Sequence, residues 1–304
     1  MSYFQKPDDE KINWKESIPF FAMHVLAIGA FFTGFSWAAL IALVVTYTVR
    51  MFAITAGYHR YFSHRTFQTS RAFQFVLAFL GASAAQKGPL WWASHHRHHH
   101  RHSDTEEDVH SPRYKGLFWA HMGWILCDKH KHPDHKLVHD LVKYPELKFL
   151  DRYHFIAPAT LAVFLFGIGA ALNAFFPQLN TSGVQLLFWG FFLSTVLTYH
   201  GTFLVNSLTH VFGRKRFKTE DDSRNSLLIS LITLGEGWHN NHHRFPASER
   251  QGFYWWEIDI SHYILRILSW LRLVWDLRRP PQKVYAEARI LKRPSEAVKR
   301  GLID

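Results

Sequence analysis

Residues 94–104 read SHHRHHHRHSD, a run dominated by histidine in a chain that contains 22 histidines. Within it, His96, His99 and His100 have the spacing HxxHH. On a helix, offsets of three and four keep such side chains within about 100° of arc on one face. The run therefore predicts a helix that directs several imidazoles to one place. His95 and His98, together with His99, fit the same spacing, so the pattern alone leaves two frames open.

Further histidine-rich segments lie on both sides of this run. They are HRYFSH (His59, His64), NSLTHVFG (Asn206, His210) and GEGWHNNHHRFP (His239, His242, His243). Neutral imidazole is an intermediate ligand that suits iron, zinc or copper, and these segments offer an almost purely nitrogen ligand set. Nine or so histidines exceed the needs of one metal ion. The sequence therefore predicts two metals held by histidine clusters.

Long uncharged segments place these histidines beside a membrane. Residues 17–49 contain no Asp, Glu, Lys or Arg, and roughly 20 residues cross the hydrocarbon core. We therefore expect two spans there, about 17–33 and 36–57, joined by a turn at residues 33–36. A second hairpin is expected at about 155–176 and 184–205, with Pro177 between the spans.

Charge placement predicts the orientation of these spans. Both expected hairpin turns lack Lys and Arg, whereas the regions at about 1–16, 58–154 and 206–304 are rich in them. The positive-inside bias assigns all three regions, both termini and the histidines to the cytoplasm. The expected fold is one all-α integral-membrane domain, residues 1–304. Its four transmembrane helices form two hairpins, capped by a cytoplasmic helical domain that holds the metals. No cleavable signal peptide is expected.

The remaining composition excludes several classes of protein. The chain has one cysteine, Cys127, which excludes a disulfide framework and a cysteine-ligated zinc or iron–sulfur centre within it. Any redox partner is therefore a separate molecule. The net charge of +11 suits anionic lipid headgroups and phosphates, and the spans argue against nucleic-acid binding.

At the histidine boxes the sequence resembles the membrane acyl-CoA desaturases of the stearoyl-CoA, delta-9 type, from about Trp37 to Phe253. HRYFSH matches the family's HxxxxH box, and Ser103 and Asp104 select the later HxxHH frame. The resemblance implies that Asn206 acts through a bound water. It also implies nine iron ligands: His59, His64, His96, His99, His100, His210, His239, His242 and His243.

The resemblance implies dioxygen-dependent desaturation of a fatty acyl chain at its ninth carbon, with two Fe²⁺ as cofactor and O₂ as co-substrate. An unactivated methylene C–H bond has no useful acidity, so a hydrogen atom must be abstracted and the cofactor performs the hard step. No HPGG-like haem segment occurs in the sequence. A separate electron donor is therefore expected, either cytochrome b5-like or ferredoxin-like with its reductase.

Similarity to the family also implies contacts with the substrate. Three residues are expected around a bend in the acyl channel: Gln86, Trp92 and Thr202. From composition alone, Trp92 fits an interfacial aromatic belt equally well. Of the headgroup contacts of the animal enzymes only Lys129 is retained, because Ser94 and Asp128 replace arginines. The carrier is expected to be coenzyme A, with an acyl carrier protein or a phospholipid left open.

Two other functions fit parts of the pattern. A membrane di-iron hydroxylase shares the histidine boxes, but NSLTHVFG and GEGWHNNHH favour a desaturase. A metal transporter requires ionisable residues along a path through the bilayer, and only His24 and His200 lie deep in the expected spans. Both are expected to have partners inside the helix bundle. His132 and the other isolated histidines are expected to be ordinary surface or hydrogen-bonded residues.

Overall fold

The computed structural model describes residues 7–292 and is mostly helical. Residues 1–6 and 293–304, parts of the expected terminal aqueous regions, lie outside the described residues. The helices are α1 Ile18–Phe32, α2 Trp37–Ser63, α3 Arg71–Ala82, α4 Pro89–His102, α5 Pro112–Lys115, α6 Leu117–His121, α7 His139–Val142, α8 Pro145–Arg152, α9 Ile156–Phe175, α10 Gly183–His210, α11 Leu227–Ile232, α12 His239–Arg244, α13 Ile260–Trp270 and α14 Gln282–Lys292. The strands are β1 Gln68–Thr69 and β2 Val274–Trp275.

Three of these helices, α2, α9 and α10, are long and apolar enough to cross a membrane. The expected first span coincides with α1, which is apolar but shorter than the other three. Side chains on the outer faces of these helices are strongly exposed, for example Val25 at 68% and Val163 at 73%. Such apolar exposure indicates a face that meets lipid. Four spans therefore remain a prediction, and three are evident from helix length.

The turn between α1 and α2 lies at residues 33–36, where the absence of charge and the small residues predict it. Gly34 has a φ of +77°, a conformation that glycine adopts without steric cost. The Ser36 hydroxyl accepts a hydrogen bond from the Ala39 backbone N–H at 3.1 Å and so caps α2. The two helices consequently form the expected hairpin.

Helix α10 lies at the centre of the apolar bundle and packs against α1, α2 and α9. A buried arginine joins α10 to α2, because Arg50 donates hydrogen bonds to the Thr195 hydroxyl at 2.6 Å and to the Ser194 hydroxyl. Its ε nitrogen donates to the Thr46 carbonyl oxygen at 3.2 Å. A cation inside an apolar bundle requires such polar partners. These contacts fix the registry of the two longest helices.

The end of α2 leaves the bundle and enters a second core. Helices α3 and α4 pack against it, and α8 packs on both of these helices. Tyr58, Phe62, Leu77 and Leu147 are fully buried in this core. The antiparallel pair β1–β2 joins this layer to the C-terminal part of the chain. Consequently, the end of α2 is held firmly beside α4, where the histidine run lies.

Candidate metal centre

The last part of α2, Ala53–Ser63, is π-helical, and this conformation accounts for the spacing of its two histidines. The His64 backbone N–H donates to the His59 carbonyl oxygen at 3.2 Å. Residues five apart are therefore one turn apart, as in a π-helix. The two imidazole rings lie on the same side, with centroids 5.0 Å apart. Arg97 donates to the carbonyl oxygens of Phe62 and Ser63 and fixes this end against α4.

Helices α4 and α12 each carry an HxxHH segment, and each divides its histidines between two clusters. In an α-helix, residues i and i+4 are separated by about 40° of arc, and residue i+3 lies about 60° to the other side. His96 and His100 of α4 therefore join one cluster, and His99 joins the other. Helix α12 reverses the assignment. Each triplet therefore directs two rings to one cluster and its third ring to the other cluster.

The nine histidines form two groups, and within each group the ligand atoms lie within 4.8 Å of one another. The first cluster consists of His59, His64, His96, His100 and His242. The second cluster consists of His99, His210, His239 and His243. The frame that begins at His96, rather than at His95, therefore supplies the clustered side chains of α4.

Within the clusters, imidazole nitrogens face one another at short range. The Nε2 atoms of His59 and His242 are 3.0 Å apart, and those of His64 and His96 are 2.8 Å apart. The Nε2 atoms of His210 and His239 are 3.0 Å apart in the second cluster. A neutral imidazole has one donor and one acceptor nitrogen, so converging Nε2 atoms are a natural arrangement for binding a shared cation.

The hydrogen bonds to the second cluster test whether its residues suit a metal ion. His99 and His243 donate from Nδ1 to Asp108 at 2.9 Å and to Asp221 at 2.7 Å. Their Nε2 atoms are buried and have no hydrogen-bond partner. A ring held at one nitrogen by a carboxylate, with the other nitrogen free, is the usual form of a metal-binding histidine. The residues therefore fit a metal ion.

Three aspartates surround the second cluster, and all are ionised. Asp104 accepts from Nδ1 of His210 at 2.7 Å. Burial alone raises the pKa of the carboxyls of Asp104, Asp108 and Asp221, but hydrogen bonds and nearby histidines bring each pKa well below its usual range. The second cluster is thus enclosed by negative charge.

The first cluster has one carboxylate contact within residues 7–292, between Nδ1 of His59 and Glu236. Glu236 also accepts hydrogen bonds from the Arg60 guanidinium and from the Gln251 amide. Burial by itself raises the pKa of Glu236, and the neighbouring His59 and Arg60 side chains lower it below the usual value. This glutamate is therefore charged and orients His59.

Four buried rings of the clusters favour the neutral form that binds metals, whereas the pKa of His99 is raised, because the Asp108 carboxylate outweighs the effect of burial. Burial lowers the pKa of His96, His100, His239 and His242 well below the usual value, and neighbouring imidazoles lower it further. Protonating a buried ring beside another ring is unfavourable. Each of these four rings therefore offers a lone pair at neutral pH.

An elongated cavity of about 530 Å³ leads to the first cluster. Gln86, Trp92 and Thr202 line it together with His96, and the Gln86 amide donates to the Thr202 hydroxyl at 3.0 Å. Much of its remaining lining is aromatic or aliphatic, including Phe20, Trp124 and Phe191. Asn206 lines this cavity and a smaller one that reaches both clusters, although it is not in either group. The structure thus brings together the residues expected at the bend.

Lys129, the residue expected to contact the substrate headgroup, does not lie at the cavity. The Lys129 amine donates to Glu10 Oε1 at 2.6 Å, and Lys129 does not line the cavity. Asp128 does line it and accepts from the Asn13 amide at 2.9 Å. The Ser94 hydroxyl donates to the Trp91 carbonyl oxygen at 3.0 Å and is buried in α4.

Sequence reasoning missed several residues of the centre. Asp108, Asp221 and Glu236 orient cluster histidines, and His110, treated as an isolated residue, is buried with its ring centroid 4.2 Å from that of His99. Glu236 stands within GEGWHNNHH, so its position beside the box was a usable signal. Asp108 and Asp221 lie in loops, where spacing carries no such information.

Comparison with known proteins identifies the family to which the chain belongs. A family model described as fatty acid desaturase matches residues 35–277. The chain is 36% identical over 276 residues to the sn-1 stearoyl-lipid 9-desaturase of Anabaena variabilis, covering 90% of this chain and 96% of the relative. It is 36% identical over 271 residues to delta-9 acyl-lipid desaturase 1 of Arabidopsis thaliana, covering 86% of this chain and 81% of the relative. It is 35% identical over 267 residues to an acyl-CoA 5-desaturase of Anemone leveillei, covering 86% of this chain and 78% of the relative. The chain is a membrane oxidoreductase of lipid metabolism and belongs to the fatty acid desaturase family.

Proposed function

We propose that the protein introduces a double bond at the ninth carbon of a saturated fatty acyl chain, using dioxygen and two iron ions. The observation that carries this proposal is the pair of histidine clusters at the end of an apolar cavity. The names of the delta-9 relatives support the position of the double bond, and the carrier is either coenzyme A or a lipid.

The nine clustered histidines are the proposed iron ligands, and Asn206 is proposed to act through a water molecule. Iron bound at such a site supplies the one-electron and dioxygen chemistry needed to remove hydrogen from an unactivated methylene. Asp104, Asp108, Asp221 and Glu236 hold ring Nδ1 protons and thereby keep Nε2 available. Such outer hydrogen bonds fix the tautomer and the orientation of the ring.

The cavity residues position the chain and exclude water. Trp92 stacks on His96, with ring centroids 5.1 Å apart, so an aromatic wall stands directly beside a proposed ligand. The hydrogen bond between Gln86 and Thr202 joins the segment before α4 to α10, and both residues line the same cavity as Trp92. A shaped apolar cavity holds a flexible substrate in one position, and its bend is proposed to select the carbons that face the metals.

The charge pattern supports a cytoplasmic active site, with both termini on the same side and four spans, α1, α2, α9 and α10. Electrons are proposed to come from a separate carrier, either cytochrome b5-like or ferredoxin-like with its reductase. The chain's single cysteine, Cys127, is buried, and cannot form an internal dithiol relay.

Expression of the chain in a host that lacks its own desaturase tests this function. The expected result is a new 9-monounsaturated fatty acid, identified by the mass of derivatised products. Hydroxylated fatty acids without an alkene would indicate the alternative hydroxylase. Absence of new products from well-expressed protein that contains iron, with either type of donor supplied, would contradict the proposal.

A further inference from the structure

An ion-pair network lies beside the aqueous rim of the cavity, where Asn13, Asp128 and Lys131 belong to the lining. Residues 8–17, here named the N-terminal strap, run alongside residues 126–131. The Asn13 backbone N–H donates to the Leu126 carbonyl oxygen at 2.9 Å, and the Lys129 N–H donates to the Asp9 carbonyl oxygen at 3.0 Å. Ile12 and Cys127 form an antiparallel bridge. The strap is therefore an integral part of the rim.

Glu10 is the central charge of the strap. Its Oε1 accepts from Lys129 at 2.6 Å and from Lys115 at 2.7 Å, and the residue is 8% exposed. Burial alone raises the pKa of Glu10, but the two lysines lower it to about 2. The glutamate is therefore charged at neutral pH, and it occupies both lysines that a phosphate group would otherwise attract.

The other charges at the rim do not suit a polyanion. Among the lysines and arginines of residues 7–292, Lys87 and Lys131 line the cavity, and Lys131 pairs with Glu16. Asp128 adds a negative charge. Coenzyme A carries a diphosphate and a further phosphate, which require several free cations. The cation at Lys87 suits a single phosphate or an ester carbonyl.

Next to the strap, the opening of the cavity is bordered by the exposed first turns of α1 and α9. Each of these helices packs against α10, and the cavity lies between them. Pro19 of α1 and Ala159 of α9 both line the cavity and are exposed on the outside. Phe155, at the start of this opening, is 60% exposed. An apolar opening in a lipid-facing surface gives an acyl chain a path that does not cross water.

We propose that Glu10 and the N-terminal strap close the aqueous rim against coenzyme A, and that the acyl chain enters sideways from the bilayer, on a glycerolipid, between α1 and α9. This inference rests on the proposed desaturase function and names the carrier for the same site. Glu10 is then a specificity-determining residue. The distance along the chain between Glu10 and Lys129, 119 residues, explains why the pairing has no signal in the sequence.

The test uses membranes from a host in which the full chain produces monounsaturated fatty acid. They receive either deuterated stearoyl-CoA or phosphatidylcholine that carries a deuterated stearoyl chain, with a nicotinamide reductant. Intact products are analysed by mass at early times. The expected first product is desaturated phosphatidylcholine. If desaturated acyl-CoA appears first with the wild type, the inference is overturned. Because the membranes used already produce monounsaturated fatty acid, this outcome is distinct from a failure of the proposed function.

Two pairs of variants sharpen the test. Glu10→Gln should raise conversion of stearoyl-CoA by about fivefold, because it removes the charge that holds Lys115 and Lys129. Asp8→Asn, in the same strap but exposed and paired with Lys11, should leave conversion of stearoyl-CoA unchanged.

Ala159→Phe should lower conversion of phosphatidylcholine by about fivefold or more, since it narrows the opening. Val163→Phe, one turn further along α9 and outside the cavity lining, is its control.

These variants also define the contradictory results. If the wild type and Glu10→Gln each convert stearoyl-CoA and phosphatidylcholine equally well, Glu10 does not determine substrate specificity. Unchanged conversion of phosphatidylcholine by correctly folded Ala159→Phe, with elution and iron content like those of Val163→Phe, would exclude the opening between α1 and α9.

Discussion

The two histidine clusters use the same ring type but differ in what holds the rings. In the second cluster, Asp104, Asp108 and Asp221 each accept a hydrogen bond from a ring Nδ1. In the first cluster, Glu236 is the one such carboxylate within residues 7–292, and ring-to-ring packing supplies the rest. The second cluster is therefore organised by charge before a metal binds, whereas the first depends on burial and on the metal itself.

Removing a ring from either cluster should have the largest effect. His96→Ala in the first cluster and His99→Ala in the second should each lower desaturation by more than about 100-fold, beyond the usual effect of losing an outer hydrogen bond. His59→Ala and His242→Ala should behave alike. Iron content should fall from about two per chain to about one or fewer, as measured by elemental analysis.

His132→Ala is the control for these variants, because His132 is exposed and lies in neither cluster. Its activity should remain near that of the wild type. Near-normal product from the ligand variants, or active wild type with a single metal, would contradict a two-iron centre.

Removing one carboxylate should separate the two clusters. Asp221→Asn should weaken iron binding by about 10-fold to 100-fold, because the amide cannot hold His243 in the metal-binding tautomer as a carboxylate does. One of the two irons should be lost selectively in a titration with chelator, while the other remains. Asp134→Asn, an exposed residue outside the centre, should retain both irons. Simultaneous loss of both irons would show that the clusters are not independently supported.

The pH dependence of stability should reflect the same aspartate. A carboxyl whose pKa is lowered by folding contributes stability that is complete above its unfolded pKa, near 4, and is lost as the pH falls through the folded value. Metal-free Asp221→Asn should therefore be less stable than the wild type by about 1–3 kcal/mol at neutral pH. The difference should persist to about pH 5 and narrow only in stronger acid. Thermal unfolding in detergent measures it, and a difference that disappears between pH 7 and about pH 5 would contradict the assignment.

Lys129→Ala should have the smallest effect. Its amine is held by Glu10 and is itself partly exposed, so substrate conversion should change by less than about twofold, near the range usual for ion pairs at a protein surface. In the Glu10→Gln background the same replacement should remove part of the gained acyl-CoA conversion. A large rise in the Michaelis constant for acyl-CoA in the single variant would instead support the headgroup role implied by the family resemblance.

The sequence revealed the parts of the centre that depend on local spacing. HxxHH on a helix and the charge-free segments predict α4, α12 and the apolar helices, because the helical period and the bilayer thickness govern both patterns. The family resemblance supplied the ligand frame and the bend residues. The π-helical end of α2 was not expected, although the five-residue spacing of His59 and His64 is best satisfied by it.

Contacts between distant segments were beyond prediction from the sequence. Asp221 meets His243, and Glu10 meets Lys129, through the way loops pack on the core, and neither pair has a periodic signal. Lys129 was therefore expected to be available to the substrate, whereas the structure shows its charge already compensated. Division of each histidine triplet between two clusters likewise required the relative placement of α4 and α12.

The facing rings of His59 and His242 join segments 183 residues apart, so iron bound at the proposed site would also act as a cross-link. With one cysteine, the chain has no internal disulfide to restrain it. A metal held by rings from α2, α4 and α12 closes long loops and restricts the unfolded chain, as a disulfide does. In iron-starved cells, the helices that carry the histidine clusters would then be loosely held. Newly made protein without iron would therefore be degraded by proteases and would not accumulate as an inactive enzyme.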